Sequence, residues 1–150
     1  MKIRRAHDDE IEEILELDRI LFEGTHPPDN DWRVMWWVAV DEPAPNTEKI
    51  VGYAAAHLSS QYPNAIYLSR CGVIPEARGK GLQRRLIRAR ERWGRSVGAE
   101  WARTDTSCLN APSINGLIKA GYKAFVPIWP WAGNGAVYFL KKIVAKRPAA

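Results

Sequence analysis

From Cys71 to Leu86 the chain reads Cys-Gly-Val-Ile-Pro-Glu-Ala-Arg-Gly-Lys-Gly-Leu-Gln-Arg-Arg-Leu. An apolar run, Ala65 to Ile74, ends there. A short basic turn with two glycines follows, and then a long amphipathic stretch begins. Strand, glycine turn and helix in this order build an anion site. The amides of the turn and of the first helical turn lack internal partners and point the same way, at the positive end of the helix dipole. Gly79 and Gly81 let the backbone approach a ligand and accept unusual φ values. Arg78 and Lys80 add positive charge. Two familiar phosphate motifs are excluded. The dinucleotide fingerprint G-x-G-x-x-G finds Arg84 in place of its third glycine, and G-x-x-x-x-G-K-[ST] is absent.

The chain has 150 residues, enough for a single domain with a real core. Hydrophobic residues make up 46% and charged residues 26%, an ordinary globular balance. No apolar run reaches the ~20 residues that span a bilayer. Met1-Lys2-Ile3-Arg4-Arg5 runs into an acidic stretch and does not read as a signal peptide. The two cysteines, Cys71 and Cys108, show neither metal spacing nor a disulfide framework, which points to free thiols in the cytoplasm. The net charge of +5 permits an anionic partner without requiring one.

The remaining pattern is compact. Lys2 to Arg5 reads as an edge strand. A helix starts at His7-Asp8-Asp9, with Ile11, Ile14, Leu15, Leu21 and Phe22 on its apolar face. Glu10, Glu12, Glu13 and Glu16 fall on its solvated face, and Gly24 ends it. Thr25 to Asp31 holds Pro27-Pro28 and must be irregular. Strands are expected from Trp36 to Val40, Ile50 to Leu58 and Ala65 to Val73. Their hairpin-length connections make them antiparallel. The helix from Gly81 to about Val97 carries Leu82, Leu86, Ala89 and Trp93 on one stripe, with Ile87 beside it. Glu100 to Asp105 returns as a strand parallel to the one before that helix. Asn110 caps a short helix running to Lys119. Tyr122 to Ile128 and Ala136 to Ile143 form a closing hairpin, and Ala145 to Ala150 is a basic tail.

Arg78-Gly79-Lys80-Gly81-Leu82-Gln83 resembles the acyl-CoA signature [QR]-x-x-G-x-[GA] of the GNAT N-acetyltransferase superfamily, with Gln83 in place of the final Gly or Ala. A second signature of that family, N-x-x-A-x-x-x-Y-x-x-x-G-F, is similar to Asn110…Ser113…Leu117…Gly121-Tyr122. Ser113 replaces the alanine and Leu117 the tyrosine. The order of elements resembles the same fold over nearly the whole chain. The resemblance implies one α/β (α+β) domain over residues 1–150, with a mixed, mostly antiparallel sheet of six to seven strands and helices on both faces. It also implies acetyl-CoA as donor, lying between the strand before the glycine turn and the strand after the long helix. Backbone of Cys71, Gly72 and Val73 would meet the acyl group and pantetheine arm. Arg78, Gly79, Lys80, Gly81, Leu82 and Gln83 would hold the pyrophosphate. Asn110 would bond the arm, or serve only as a helix cap.

Acetyl transfer requires a deprotonated amine and a polarised thioester carbonyl. A backbone N–H near Val73 suits the carbonyl. The family's usual acid stands where this chain has Leu117, so another group serves or the thiolate leaves unaided. Asp105 lies five residues before Asn110. Ribosomal-protein N-terminal acetyltransferases of this superfamily carry a catalytic Glu at that spacing. Asp105 is therefore the candidate base, or else a turn-capping carboxylate in Asp105-Thr106-Ser107. His57 and His26 are weaker candidates. Cys71 has no His or acid partner at a telling spacing, which favours direct transfer. Gly24 to Trp32 and Trp129 to Gly135 are the expected acceptor walls. Glu23, just before the first, and Asp29 and Asp31 within it would suit a cationic amine.

Two functions remain open. One is an N-acetyltransferase acting on a primary amine of a small molecule or protein, as a monomer or homodimer. The other is a non-catalytic domain of the same fold that binds CoA or an anionic partner such as RNA. The helix row Arg84, Arg88, Arg92 and Arg95 lacks interleaved exposed aromatics, which disfavours nucleic acid.

Overall fold

The computed structural model describes residues 1–144, so the basic tail expected at the C-terminus lies outside the described residues. Seven strands are β1 (Lys2–Arg5), β2 (Met35–Asp41), β3 (Lys49–Leu58), β4 (Ala65–Val73), β5 (Trp101–Ser107), β6 (Lys123–Phe125) and β7 (Ala136–Lys142). Three helices are α1 (Ile11–Leu21), α2 (Leu82–Ser96) and α3 (Ala111–Lys119). The strands hydrogen-bond in the order β1-β2-β3-β4-β5-β7-β6. The pairs β1/β2, β2/β3, β5/β7 and β6/β7 are antiparallel, while β4/β5 is parallel, as the return after the long helix requires. The sheet is therefore mixed and mostly antiparallel, as expected.

The contacts group the chain into two compact units. The first comprises Met1–His57 with Ser69–Arg90. Its core is Ile14 of α1 against Trp36, Val38 and Val40 of β2 and Ile50, Tyr53 and Ala55 of β3. Ile11, Leu15, Leu21 and Phe22 pack on that cluster, as their spacing predicted, and Leu17 joins them. Alternate residues of β2 share a face, yet Trp37 and Ala39 are buried as well, so β2 is a two-sided interior strand. A polar link crosses this core. Asp18 of α1 is 2% exposed, accepts from the Tyr53 hydroxyl at 2.6 Å, and pairs with Arg70 of β4 at 3.0 Å. Burial, with Asp18 as the acceptor, pushes the Tyr53 hydroxyl well above its ordinary pKa. Glu10 is not solvated as its place in the sequence suggested. It pairs with Arg4 of β1 at 2.8 Å and accepts from the His7 amide at 2.7 Å, tying the helix start to the edge strand.

The second unit comprises Leu58–Leu68 and the chain from Glu91 onward. Here α2 is joined to Tyr122 and β7 through Glu91, which is 3% exposed. Its carboxylate accepts from the Tyr122 hydroxyl at 2.8 Å and pairs with Lys141 at 3.0 Å. Gly94 packs closely in this unit, since a Cβ there would sit 2.8 Å from Ile66 Cδ1 and 2.9 Å from Ile143 Cδ1. The buried stripe of α2 is Leu82, Leu86, Ile87, Arg90, Glu91 and Gly94, with Ala89 and Trp93 only half-buried. The stripe turns away from the expected one because two charged residues are inside. Arg90 is satisfied by the carbonyls of Leu86 at 3.2 Å, Ala55 at 3.2 Å and Arg70 at 3.4 Å.

Candidate active site

In the first unit β4 runs into a short helical turn, Pro75–Ala77, and then the glycine segment. Three contacts hold this exit. The Ile74 amide donates to Val51 O at 2.9 Å, the Ala77 amide to Ile74 O at 3.0 Å, and Arg78 Nε to Val73 O at 3.0 Å. Gly79 and Gly81 adopt φ values of 78° and 76°. A Cβ at either would meet nothing within 4 Å, so the backbone angle, not crowding, is what requires glycine. Leu82 is buried and anchors the start of α2, whereas Arg78, Gly79, Lys80 and Gly81 are exposed and Gln83 is half-buried. The first amide to find an acceptor after the turn is Arg85, bonding Gly81 O at 3.1 Å. The amides of Gly79 to Arg84 have no partner among the described residues. Six free N–H groups beside Lys80 and Arg84 form a donor set that suits a pyrophosphate.

Just before this turn, burial pushes the Cys71 thiol above its ordinary pKa, with Arg90 acting against the shift. That favours the protonated, unreactive form. Gly72 is buried under Tyr53, whose hydroxyl would lie 2.5 Å from any Cβ there.

The second unit gathers its chemistry on one face of β5. Arg103 and Asp105 alternate with the buried Ala102 and Thr104 and share the opposite face. Tyr67 of β4 is the register partner of Arg103, and Tyr138 of β7 that of Asp105. Trp131, from the connection between β6 and β7, stands over them. Its Nε1 donates to Asp105 Oδ2 at 3.1 Å and to the Tyr67 hydroxyl at 3.2 Å. The Trp131 ring packs edge-on against Tyr138 at 4.5 Å and Tyr62 at 5.9 Å. The Tyr138 hydroxyl accepts from the Ala132 amide and donates to the Ala132 carbonyl, each at 3.0 Å, which pins the loop. Burial pushes the Asp105 carboxyl above the usual carboxylate range, against the opposing effect of the Trp131 bond. Oδ1 of Asp105 has no partner among the described residues.

Asn110 caps α3, its Oδ1 accepting from the Ser113 amide at 3.2 Å, and its amide NH2 is left over. Leu117 is 5% exposed, a core residue of α3. The two expected acceptor walls differ. Trp131 sits in the aromatic cluster, but Trp129 is 78% exposed and Trp32 87% exposed. Asp31 already has a cation, pairing with Arg33 at 2.7 Å, which lowers its pKa to about 2. His57 is half-buried near the end of β3, and the His26 carbonyl accepts from Arg70. Sequence reasoning missed Arg103, Tyr62, Tyr67 and Trp131 as a group. Tyr67 and Arg103 fall on the same face only once β4 and β5 are paired in register.

The sequence model of the acetyltransferase (GNAT) family matches residues 8–122. Among solved structures, Arabidopsis thaliana NAA60 in complex with acetyl-CoA aligns with a TM-score of 0.77 at 17% identity, covering 95% of this chain and 98% of that one. The ribosomal-protein-S18-alanine N-acetyltransferase from Escherichia coli aligns at 0.73 and 13% identity, covering 99% of each chain. A spermidine N-acetyltransferase chimera from Vibrio cholerae and hSSAT aligns at 0.72 and 13%, covering 95% of this chain and 97% of that one. No curated protein sequence matches the chain significantly. The structural likenesses establish the fold and the family match the kind of enzyme: the chain belongs to the acetyltransferase (GNAT) family, acyltransferases whose donor is acetyl-CoA.

Proposed function

We propose that the chain is a single-domain N-acetyltransferase that moves an acetyl group directly from acetyl-CoA to a primary amine of a small molecule or protein, with Asp105 as general base. The observation that carries this reading is the state of Asp105. It is a half-buried carboxylate, its pKa raised, with one oxygen held by Trp131 and the other free. A carboxylate shifted upward is a stronger base, which suits it to take a proton from an ammonium or through one water. The Trp131 N–H fixes which oxygen faces the acceptor.

The donor supplies an activated acyl group as a thioester, with a thiol of ordinary acidity as leaving group. The free amides from Gly79 to Arg84 would hold its pyrophosphate, with Lys80 and Arg78 adding charge. Leu82 would set the helix start, and Gln83 would donate a side-chain amide at the same place. The backbone of Cys71, Gly72 and Val73 would bond the acyl arm, and an N–H near Val73 would polarise the carbonyl. The NH2 of Asn110, unused by the cap, would donate to the arm. The protonated, sunken Cys71 thiol supports direct transfer over a covalent relay through cysteine. Both cysteines are free, in keeping with the cytoplasm, and among the described residues no helix is long and apolar enough to cross a membrane.

The rival is a non-catalytic domain of the same fold. Its support is Leu117, an apolar core residue where the family's signature has a tyrosine. A thiol-release assay with acetyl-CoA and an amine panel separates the two. The enzyme reading expects amine-dependent release that falls ~10²–10⁴-fold in Asp105→Asn with acetyl-CoA affinity retained. Donor binding without release on any amine would establish the rival instead.

A further inference from the structure

Arg103 differs from the other inward-facing arginines of this chain. Arg4 pairs with Glu10 and Glu48, Arg70 with Asp18, and Arg90 is bonded to three carbonyls. Arg103 has no ion pair or hydrogen bond among the described residues, and its Nε is buried without a partner. Instead its guanidinium lies over the Tyr62 ring at 3.7 Å from the centroid, with Phe125 at 5.0 Å. Tyr62 is held in place, its amide donating to Ser59 Oγ at 3.1 Å, and it packs edge-on against Phe125 at 6.4 Å. Stacking of this kind covers the face of a guanidinium and leaves the in-plane N–H fork at its edge open. That fork matches a carboxylate, two parallel N–H···O bonds at once.

Asp105 stands two residues along the same strand, on the same face. That spacing is about 6.6 Å along the chain. The two opposite charges do not pair with each other, and each keeps an unused hydrogen-bonding edge within one aromatic cluster. Trp131 links the two ends, bonding Asp105 and packing near Tyr62 and Phe125.

We propose that Arg103 binds a carboxylate of the acceptor while Asp105 faces its amine, so that the substrate is a small amine bearing its own carboxylate, of the amino-acid class. The assignment deepens the reading of Asp105 as base and rests on it. A polyamine presents a second cation where Arg103 offers only donors and positive charge, so it fits poorly. Burial lowers the pKa of Arg103, the mark of a desolvated cation that an anion would relieve.

The test compares matched probes that differ only in the anion: glycine, alanine, methionine, phenylalanine and glutamate, each against its α-carboxamide. With wild type and acetyl-CoA, kcat/KM for at least one free acid should exceed that of its amide by ~10–100-fold, the range expected for losing charge-assisted bonds to a desolvated partner. Arg103→Gln should abolish the discrimination chiefly through KM, and Arg103→Lys should restore part of it. The thermal shift produced by acetyl-CoA should stay unchanged in both. A second readout needs no turnover: calorimetric titration of the N-acetylated forms of the same five acids, expected to bind wild type and not Arg103→Gln. Amides equal to acids in the wild type, or spermidine or an acidic peptide preferred over every free acid, overturns the assignment. If Arg103→Gln does not fold, the wild-type comparison of acids with amides still decides it. Transfer that ignores the carboxylate sinks this proposal but not the base at Asp105. Arg103-dependent binding of N-acetyl acids with no transfer to any amine sinks the catalytic reading but not the carboxylate site.

Discussion

At Asp105, the proposed base, activity and stability should pull apart. Burial raises its folded-state pKa, so the ionised form costs stability. That cost is absent below the unfolded pKa and complete once pH has risen through the folded one. Asp105→Asn should therefore melt at or above the wild-type temperature at pH 7, converge with it in acid, and still lose most of its turnover. The acidic limb of kcat/KM should vanish with it. Turnover within a few-fold of wild type would make Asp105 a structural carboxylate. Glu10 has the opposite sign. Its hydrogen bonds to Arg4 lower its pKa to about 2, so its contribution is present above the unfolded carboxylate pKa and lost as pH falls from there through the folded pKa. Glu10→Gln should lower the melting temperature at pH 6, with the difference from wild type closing as pH approaches 2. A constant difference across that window would show that the ion pair is not its source.

The proposed donor site and its scaffold belong to the scale of whole elements. Gly81 holds φ 76° at the entry to α2, where a side chain is strained and a negative one repels phosphate. Gly81→Glu should remove acetyl-CoA binding in a calorimetric titration while far-UV circular dichroism stays near wild type. Unaltered binding would mean that the free amides from Gly79 to Arg84 are not the phosphate cradle. At α3, cap and ligand roles of Asn110 separate by chemistry. Asp caps as well as Asn does, but it has no amide to donate. Asn110→Asp should keep the urea midpoint and raise the KM for acetyl-CoA. Asn110→Ala should also lose about 0.5–2 kcal/mol of stability. An unchanged KM in both variants would leave Asn110 a cap alone.

For the molecule as a whole, a ligand that binds only the native state stabilises it by mass action. At 100 times its dissociation constant, acetyl-CoA should add about 2.7 kcal/mol, or about 5–10 °C in a chain of this length. If the chain is one domain, tryptophan fluorescence and far-UV circular dichroism should report one coincident urea transition. Two separated transitions would show that its two compact units unfold independently. No thermal shift at millimolar acetyl-CoA would remove the donor site.

Much of this was legible in local pattern because local physics writes it. β4 spans Ala65–Val73 as the apolar run predicted, and Asn110 caps α3 through its own side chain. Gly79 and Gly81 have the positive φ that only glycine adopts freely, in a turn whose composition already suggested an anion site. These features depend on residues a few positions apart. What the pattern hid were charges that fold inward: Asp18, Arg90 and Glu91 are buried, each compensated by a distant Arg, carbonyl or Tyr. The cluster proposed as the acceptor end was hidden for the same reason. Tyr62, Arg103, Phe125 and Trp131 lie on four segments. Neither a stacking distance nor a missing ion pair exists until strand register brings those segments to one face.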